Sequence, residues 1–362
     1  MQQPLPPRRI ALPLSTPRLT WALLGINIVM FLVETVVGGS TNHETLVRLG
    51  AKVNALIVMG QYWRLITPMF LHIGLGHIVV NSYALFVIGP EVESLYGYGR
   101  FLVMYVLAGI AGNVMSYAFT PGLSAGASTA LFGLIGAQLV FYYRQRDKLG
   151  AFGQQRMMNL IGIIAINVML GFSIGGVDNF GHLGGFIGGV VLGWLLCPMY
   201  EVEYGWDGLA RVQDRNSLQR ELPGVFLFVV LLMVAAGAIT LRTANQPEVR
   251  LEQGLEVFRG GDYAAALPLL EKAARELPDD AQAHYLLAAT YFNLSRYDQA
   301  APAFEKALEL IPGMADAHFY LAASYLQLDR RADAVTHLQQ YLALAPNGDK
   351  ASKVRQILAQ TE

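Results

Sequence analysis

Seven stretches of this 362-residue chain stay apolar and almost uncharged for close to 20 residues each: Leu19–Val37, His77–Val92, Phe101–Phe119, Ala127–Tyr143, Met157–Ile174, His182–Met199 and Pro223–Leu241. A helix needs about 20 such residues to cross a bilayer, and there its backbone has only its own groups to bond with. The pattern therefore predicts an all-α, polytopic membrane bundle over residues 19–199, a polar loop over 200–222 and a seventh span over 223–241. Composition agrees: 15% of residues are charged, against about 25% in ordinary soluble domains. The second stretch is the weakest, interrupted by Asn81 and Glu91. The segment Gly38–Gly76 is too polar to span and carries Tyr62, Trp63 and Arg64, residue types that favour the membrane interface.

Charge is divided unevenly. From Gln246 onward there are 16 acidic and 11 basic residues, whereas the preceding part holds 11 acidic and 15 basic. A basic membrane part followed by a mildly acidic soluble part is the expectation. With the N-terminus inside, the inner segments hold eleven Lys and Arg, including Arg8, Arg9, Arg144 and Lys148, while the outer loops hold only Arg48, Lys52 and Arg64. The positive-inside rule then puts the 1–18 tail in the cytoplasm. Seven spans place everything after Leu241 on the opposite side. No small-residue cleavage site follows the first apolar run, so it reads as a retained span. The single cysteine, Cys197, excludes an internal disulfide framework and a cysteine zinc site.

The C-terminal part repeats. Pro247–Asp280, Ala281–Met314 and Ala315–Gly348 each have 34 residues. They share a small residue at the eighth position (Gly254, Ala288, Ala322), alanine at the twentieth (Ala266, Ala300, Ala334) and proline at the thirty-second (Pro278, Pro312, Pro346). Small residues where helices cross and a proline closing each unit suit stacked helical hairpins. This resembles three tetratricopeptide repeats. Tyr341 stands where the first two repeats have Ala273 and Ala307, which reads as a modified terminal repeat. Lys350–Gln360 reads as a capping helix, giving a soluble α-solenoid over 247–362.

Two polar side chains within the apolar stretches carry chemistry. Ser128 opens the fourth and His182 the sixth. Ionisable groups in a bilayer are costly and read as functional, and a hydroxyl beside an imidazole makes a base-activated nucleophile. Both spans run outside to inside, so the pair shares a depth. The sixth span carries Gly181, Gly185, Gly189 and Gly193 at intervals of four, and the fourth has Gly133 and Gly136. Such spacing lets helix backbones touch and would bring imidazole to hydroxyl within about 3 Å. Serine attack on a carbonyl also needs oxyanion donors. His77 and Asn81, four apart on one helix face, and the backbone N–H of Ser128 are the candidates. Phe132, one turn beyond Ser128, is placed to pack on the His182 ring.

Trp63-Arg64, His72…His77…Asn81, Glu93…Gly97, Gly126-x-Ser128 and His182-x-Gly184-Gly185 occur in this order. Together they resemble the rhomboid intramembrane serine proteases, over roughly Leu19 to Met199. The resemblance implies Ser128 as nucleophile, His182 as base, His77 and Asn81 at the oxyanion site, and a structural loop around Trp63-Arg64 embedded in the outer leaflet. Gly126, Phe132 and His72 are supporting residues, with a loop bond the equal reading for His72. Thr129 departs from the glycine usual beside the nucleophile; a β-branched residue there narrows the space at the oxyanion site, and it reads as tolerated.

Plainer readings stand beside these. A membrane serine often bonds back to its own helix. Asp178 reads as a loop or cap residue rather than a third triad member. Glu93 reads as a bond to neighbouring loop backbone. A zinc site from His72, His77, His182 and Asp178 lacks the HExxH spacing, so no metal or cofactor is implied. The expected protein is a bacterial plasma-membrane serine endopeptidase, embedded in lipid, that cleaves membrane-spanning or membrane-proximal segments of other proteins. Its extracytoplasmic repeats would recruit substrates or partners, and no nucleic acid is involved. The alternative is a non-proteolytic rhomboid-like scaffold binding client transmembrane helices.

Overall fold

The computed structural model describes residues 15–173, 175–204 and 210–361. It resolves into two compact units, Met1–Thr240 and Leu241–Glu362. Arg8 and Arg9, and Ile174 at the end of the fifth predicted span, lie outside the described residues.

The first unit is a helical bundle. Its long helices are α1 (Leu19–Val37), α4 (Gly74–Tyr96), α5 (Tyr98–Phe119), α6 (Ser128–Arg144), α7 (Arg146–Ser173), α8 (Asn179–Leu196) and α9 (Leu218–Thr243). Six are long and apolar enough to cross a membrane; α6, with 17 residues, is shorter. At 1.5 Å per residue it reaches about 25 Å, less than the hydrocarbon thickness of about 30 Å. It is also the most enclosed, with every residue from Thr129 to Gln138 buried. α4, α5, α7 and α8 pack around it.

Glycine sets the closeness of α6 and α8. A Cβ on Gly185 would stand 2.0 Å from the Thr129 carbonyl oxygen, one on Gly189 1.9 Å from that of Gly133, and one on Gly193 2.6 Å from Ala137 Cα. The three contacts advance by four residues on both helices, so the backbones run parallel and touch along their length. α9 joins the bundle through Ala236, which packs with Val114 and Tyr117 of α5, and through a 3.1 Å bond from Tyr117 Oη to Thr240 Oγ1.

Between α1 and α4 the chain folds into α2 (His43–Leu49), α3 (Asn54–Val58) and two 3₁₀ turns, Tyr62–Leu65 and Thr67–Phe70. Arg64 holds this segment together. It is 4% exposed, donates to the Val47 and Ala51 carbonyls at 2.7 and 2.9 Å, and lies over the Trp63 ring. Glu93 departs from its sequence reading: it caps a distant helix rather than nearby loop. Its carboxylate accepts the N–H groups of Arg18, Leu19 and Thr20 at 2.7–2.8 Å and the Thr20 hydroxyl at 2.6 Å, so α4 satisfies the otherwise unpaired first turn of α1.

A short antiparallel hairpin, β1 (Tyr200–Tyr204) and β2 (Ala210–Asp214), occupies the segment expected to be plain loop. Its signal was the alternation of Tyr200-Glu-Val-Glu-Tyr204, short and flanked by apolar spans. Asp214 pairs with Arg100 at 2.5 Å, anchoring the hairpin to the start of α5.

Among the described residues the second unit has seven helices: α10 (Pro247–Arg259), α11 (Tyr263–Glu276), α12 (Ala281–Asn293), α13 (Tyr297–Leu310), α14 (Ala315–Gln327), α15 (Arg331–Leu344) and α16 (Ala351–Thr361). Each sequence repeat forms one hairpin. The recurrent small residues sit at the crossings, where Ala288 and Ala322 are fully buried. Equivalent bonds recur too: His284 and His318 Nε2 each lie 3.0 Å from the carbonyl of the proline that closes the preceding repeat, Pro278 and Pro312. Tyr341 replaces alanine because it meets the cap: its hydroxyl accepts the Lys350 N–H at 3.1 Å, just before α16.

Candidate active site

Ser128 is the first residue of α6 and His182 lies in the first turn of α8. Both helices begin at the same end of the bundle, and both side chains are half-buried. Phe132, one turn into α6, stacks face to face on the His182 ring, with centroids 4.3 Å apart and planes 15° from parallel. The stack fixes the imidazole beside the turn that carries Ser128. Among the described residues no hydrogen bond joins Ser128 to His182 within 3.5 Å, a looser approach than the sequence spacing predicts. Such bonds commonly tighten only when substrate is bound.

Gly126 lets the other components close in. Its φ is +139°, a conformation unfavourable for side chains, and a Cβ there would lie 2.6 Å from His77 Cε1, 2.8 Å from His77 Nε2 and 3.6 Å from Ser128 Oγ. The His77 ring edge and the serine hydroxyl thus flank one glycine. His77 Nδ1 accepts the Ile73 N–H at 3.2 Å, which puts the neutral ring's proton on Nε2 and makes the edge at Gly126 a hydrogen-bond donor. Asn81 is 4% exposed and spends one amide N–H on the His77 carbonyl at 3.0 Å. This steadies the turn carrying His77 and leaves the second N–H outside that bond.

His72 is fully buried, edge-on to His77 with ring centroids 5.4 Å apart. Its backbone N–H donates to both Glu34 carboxylate oxygens at 3.1 and 3.3 Å. Glu34, a buried carboxyl in α1, therefore holds the loop that enters α4.

Thr129 packs against α5. It is 3% exposed, and its Cβ faces α5, where a Cβ on Gly112 would come within 2.6 Å of it. The absence of a side chain at Gly112 makes room for the β-branched residue.

The loop delivering Ser128 is pinned at several points. Lys52 and Ser124 form a β-bridge, Lys52 Nζ donates to the Thr120 carbonyl at 2.5 Å, and the Gly126 N–H donates to the Pro68 carbonyl at 2.8 Å. Asp178 is the hub. Its carboxylate accepts from Ser116, from Thr120 Oγ1 at 2.8 Å, from Ser124 Oγ at 2.6 Å and, as N-cap of α8, from the Gly181 N–H at 2.9 Å. Burial alone would raise its pKa; the bonds from Ser116, Ser124, Gly181 and Thr120 outweigh that and hold the carboxyl below its ordinary value. One side chain thus ties α5, the loop before Ser128 and the start of α8. Sequence reasoning foresaw a cap and missed the three hydroxyl donors, which come from residues 54–62 positions away.

An apolar cavity of about 440 Å³ adjoins His182 and Phe132, walled by Ile164, Val168 and Phe172 of α7 and by Phe186 of α8. A serine hydroxyl, an imidazole and a ring N–H donor thus gather near an apolar cavity.

Comparison with known proteins fixes the family. The rhomboid domain family matches residues 59–199, and tetratricopeptide repeat families match 251–315 and 294–360. The chain is 36% identical over 300 residues to rhomboid protease GluP of Bacillus subtilis (strain 168), covering 76% of this chain and 58% of that protein. It is 32% identical over 224 residues to rhomboid-like protease 2 of Toxoplasma gondii, covering 57% of this chain and 75% of that one. Among solved structures, the TPR domain of Arabidopsis OM64 is similar, with a TM-score of 0.31 at 21% identity, over 32% of this chain and 96% of that one. The chain belongs to the rhomboid family, carries C-terminal tetratricopeptide repeats and is a multi-pass membrane protein. It spans 58% of the length of GluP and 52% of chloroplastic RHOMBOID-like protein 9 of Arabidopsis thaliana.

Proposed function

We propose that the chain is an intramembrane serine endopeptidase that cleaves membrane-spanning or membrane-proximal segments of other proteins. Ser128 is the nucleophile and His182 the base that takes its proton. The His77 ring N–H, the free Asn81 N–H and the Ser128 backbone N–H are the donors for the oxyanion. The observation that carries this reading is the stack of Phe132 on His182 beside the Gly126 gap, into which both Ser128 Oγ and His77 face. A substrate helix must unwind before its carbonyl is accessible, so small residues at the cut and helix-weakening residues nearby are favoured. Labelling by a serine-reactive phosphonate tests the nucleophile. Label should sit on Ser128, vanish in Ser128→Ala and slow at least about 100-fold in His182→Asn. Label retained in Ser128→Ala would contradict the assignment.

The repeats recruit substrates or partners through their concave face, as stacked repeats do elsewhere. The loop charge count supports an extracytoplasmic position for them, on the side where the site opens. Deleting 247–362 should cut cleavage of a full-length natural substrate in cells while sparing a short single-span reporter. Unchanged cleavage of the natural substrate removes the recruitment role.

A further inference from the structure

A second pocket lies at the opposite end of the bundle. α6 and α8 start together at Ser128 and His182 and run parallel, so both also finish together, about 25 Å away. There, Arg144 from the last turn of α6, Trp194 from the last turn of α8, Arg215 just after β2 and Arg220 from the first turn of α9 line a cavity of about 400 Å³. Glu201 and Glu221 share the lining.

The location marks a membrane interface. Tyr143 and Trp194 are about half exposed, their rings 6.2 Å apart. Arg146 lies over the Tyr143 ring at 4.5 Å and Arg144 over the Trp194 ring at 5.0 Å. Exposed Trp and Tyr at helix ends sit at headgroup depth, with cationic side chains reaching outward.

The cavity is held open by structure. Asn216 Nδ2 donates to the Leu195 and Cys197 carbonyls at 2.9 Å, fixing the chain between β2 and α9 onto the end of α8. Arg144 spends one N–H on the Trp194 carbonyl at 2.8 Å, and Arg215 pairs with Glu201 at 3.0 Å. Arg220 bonds Ser217 Oγ through its backbone N–H at 3.4 Å, and its guanidinium has no hydrogen-bond or ion-pair partner among the described residues. Three arginines against two carboxylates leave one positive charge in excess, matching the single negative charge of a phosphodiester.

We infer that this pocket binds the phosphate of an anionic phospholipid, its headgroup between Arg144 and Arg220 and its acyl chains descending past Trp194. Guanidinium groups are suited to phosphate, which they can grip with two N–H groups at once. The site differs from the candidate active site in residues, depth and ligand.

The test uses the full-length protein purified in neutral detergent and measures thermal midpoint and lipid affinity by native mass spectrometry. The titrants are phosphatidylglycerol, phosphatidylcholine and inorganic phosphate. Phosphatidylglycerol should raise the midpoint and bind more tightly than phosphatidylcholine, with inorganic phosphate inert. Arg220→Gln should weaken phosphatidylglycerol binding about fivefold at an unchanged midpoint in neutral detergent, and Arg220→Lys should retain most of the affinity. Equal binding of the two lipids, Arg220→Gln matching wild type, or an equal effect of inorganic phosphate would each overturn the lipid site. If Arg220→Gln lowers the midpoint without lipid, Trp194→Leu replaces it, and unchanged selectivity in that variant is equally adverse.

Discussion

Asp178 shows how far a single side chain reaches in this site. Four donors from α5, the loop before Ser128 and α8 converge on it. Asp178→Ala strands them, and the expected loss is about 3 kcal/mol of stability, with turnover falling further as Ser124 and the α8 cap loosen around Ser128 and His182. Thermal midpoint and reporter turnover, measured together, check this. Because the native carboxyl titrates below its ordinary value, it contributes stability that is fully present above about pH 4 and disappears as pH falls through the native pKa. Wild type should therefore lose midpoint more steeply than Asp178→Asn as pH falls below about 4. The serine, the histidine and the His77–Asn81 pair were readable from residue type and spacing. The Asp178 donors, the Glu34 bond to the His72 backbone and the space Gly112 leaves for Thr129 were not, since each joins residues that only the packed bundle brings together.

At the scale of helices, the account rests on two backbones in contact. Gly185 and Gly189 of α8 face the Thr129 and Gly133 carbonyls at distances that leave no room for a methyl group. Gly189→Ala should cost about 1–3 kcal/mol through overpacking and separate Ser128 from His182, so activity falls even where the protein still folds. Gly162→Ala on α7 is the control: nothing lies within 4 Å of a Cβ there, and the better helix former should be neutral or slightly stabilising. Equal effects of the two substitutions on midpoint and turnover would contradict the packing argument. The four-residue glycine ladder announced this contact in the sequence. The β-hairpin at 200–214 went unread because strands of five residues carry too few alternations to stand out beside apolar spans, and Glu93 was read locally because its partners lie 73–75 residues away.

On the scale of the whole molecule, a membrane helical core and a repeat domain were legible separately: one from apolar stretches of near-constant length, the other from a 34-residue period. The repeat domain should also respond to pH. His318 and His337 place their Nδ1 atoms 2.9 Å apart. His337 is pushed below its usual pKa by burial and then by the charge of His318, with Glu305 and Asp333 opposing. Its contribution to stability is therefore present above about pH 6.5 and declines as pH falls below that value. Thermal unfolding of the full chain should show the repeat transition dropping between pH 7 and 5, with the drop reduced in His337→Gln; an identical pH profile in the variant would count against the histidine pair.

The most direct test of the central claim is cleavage of a single-span reporter by the purified protein, wild type beside Ser128→Ala. The account predicts cleavage by wild type and a loss of at least about 1,000-fold in Ser128→Ala. Equal cleavage by both would mean another nucleophile or a contaminant, and cleavage by neither would favour a membrane scaffold; either result contradicts the proposed activity.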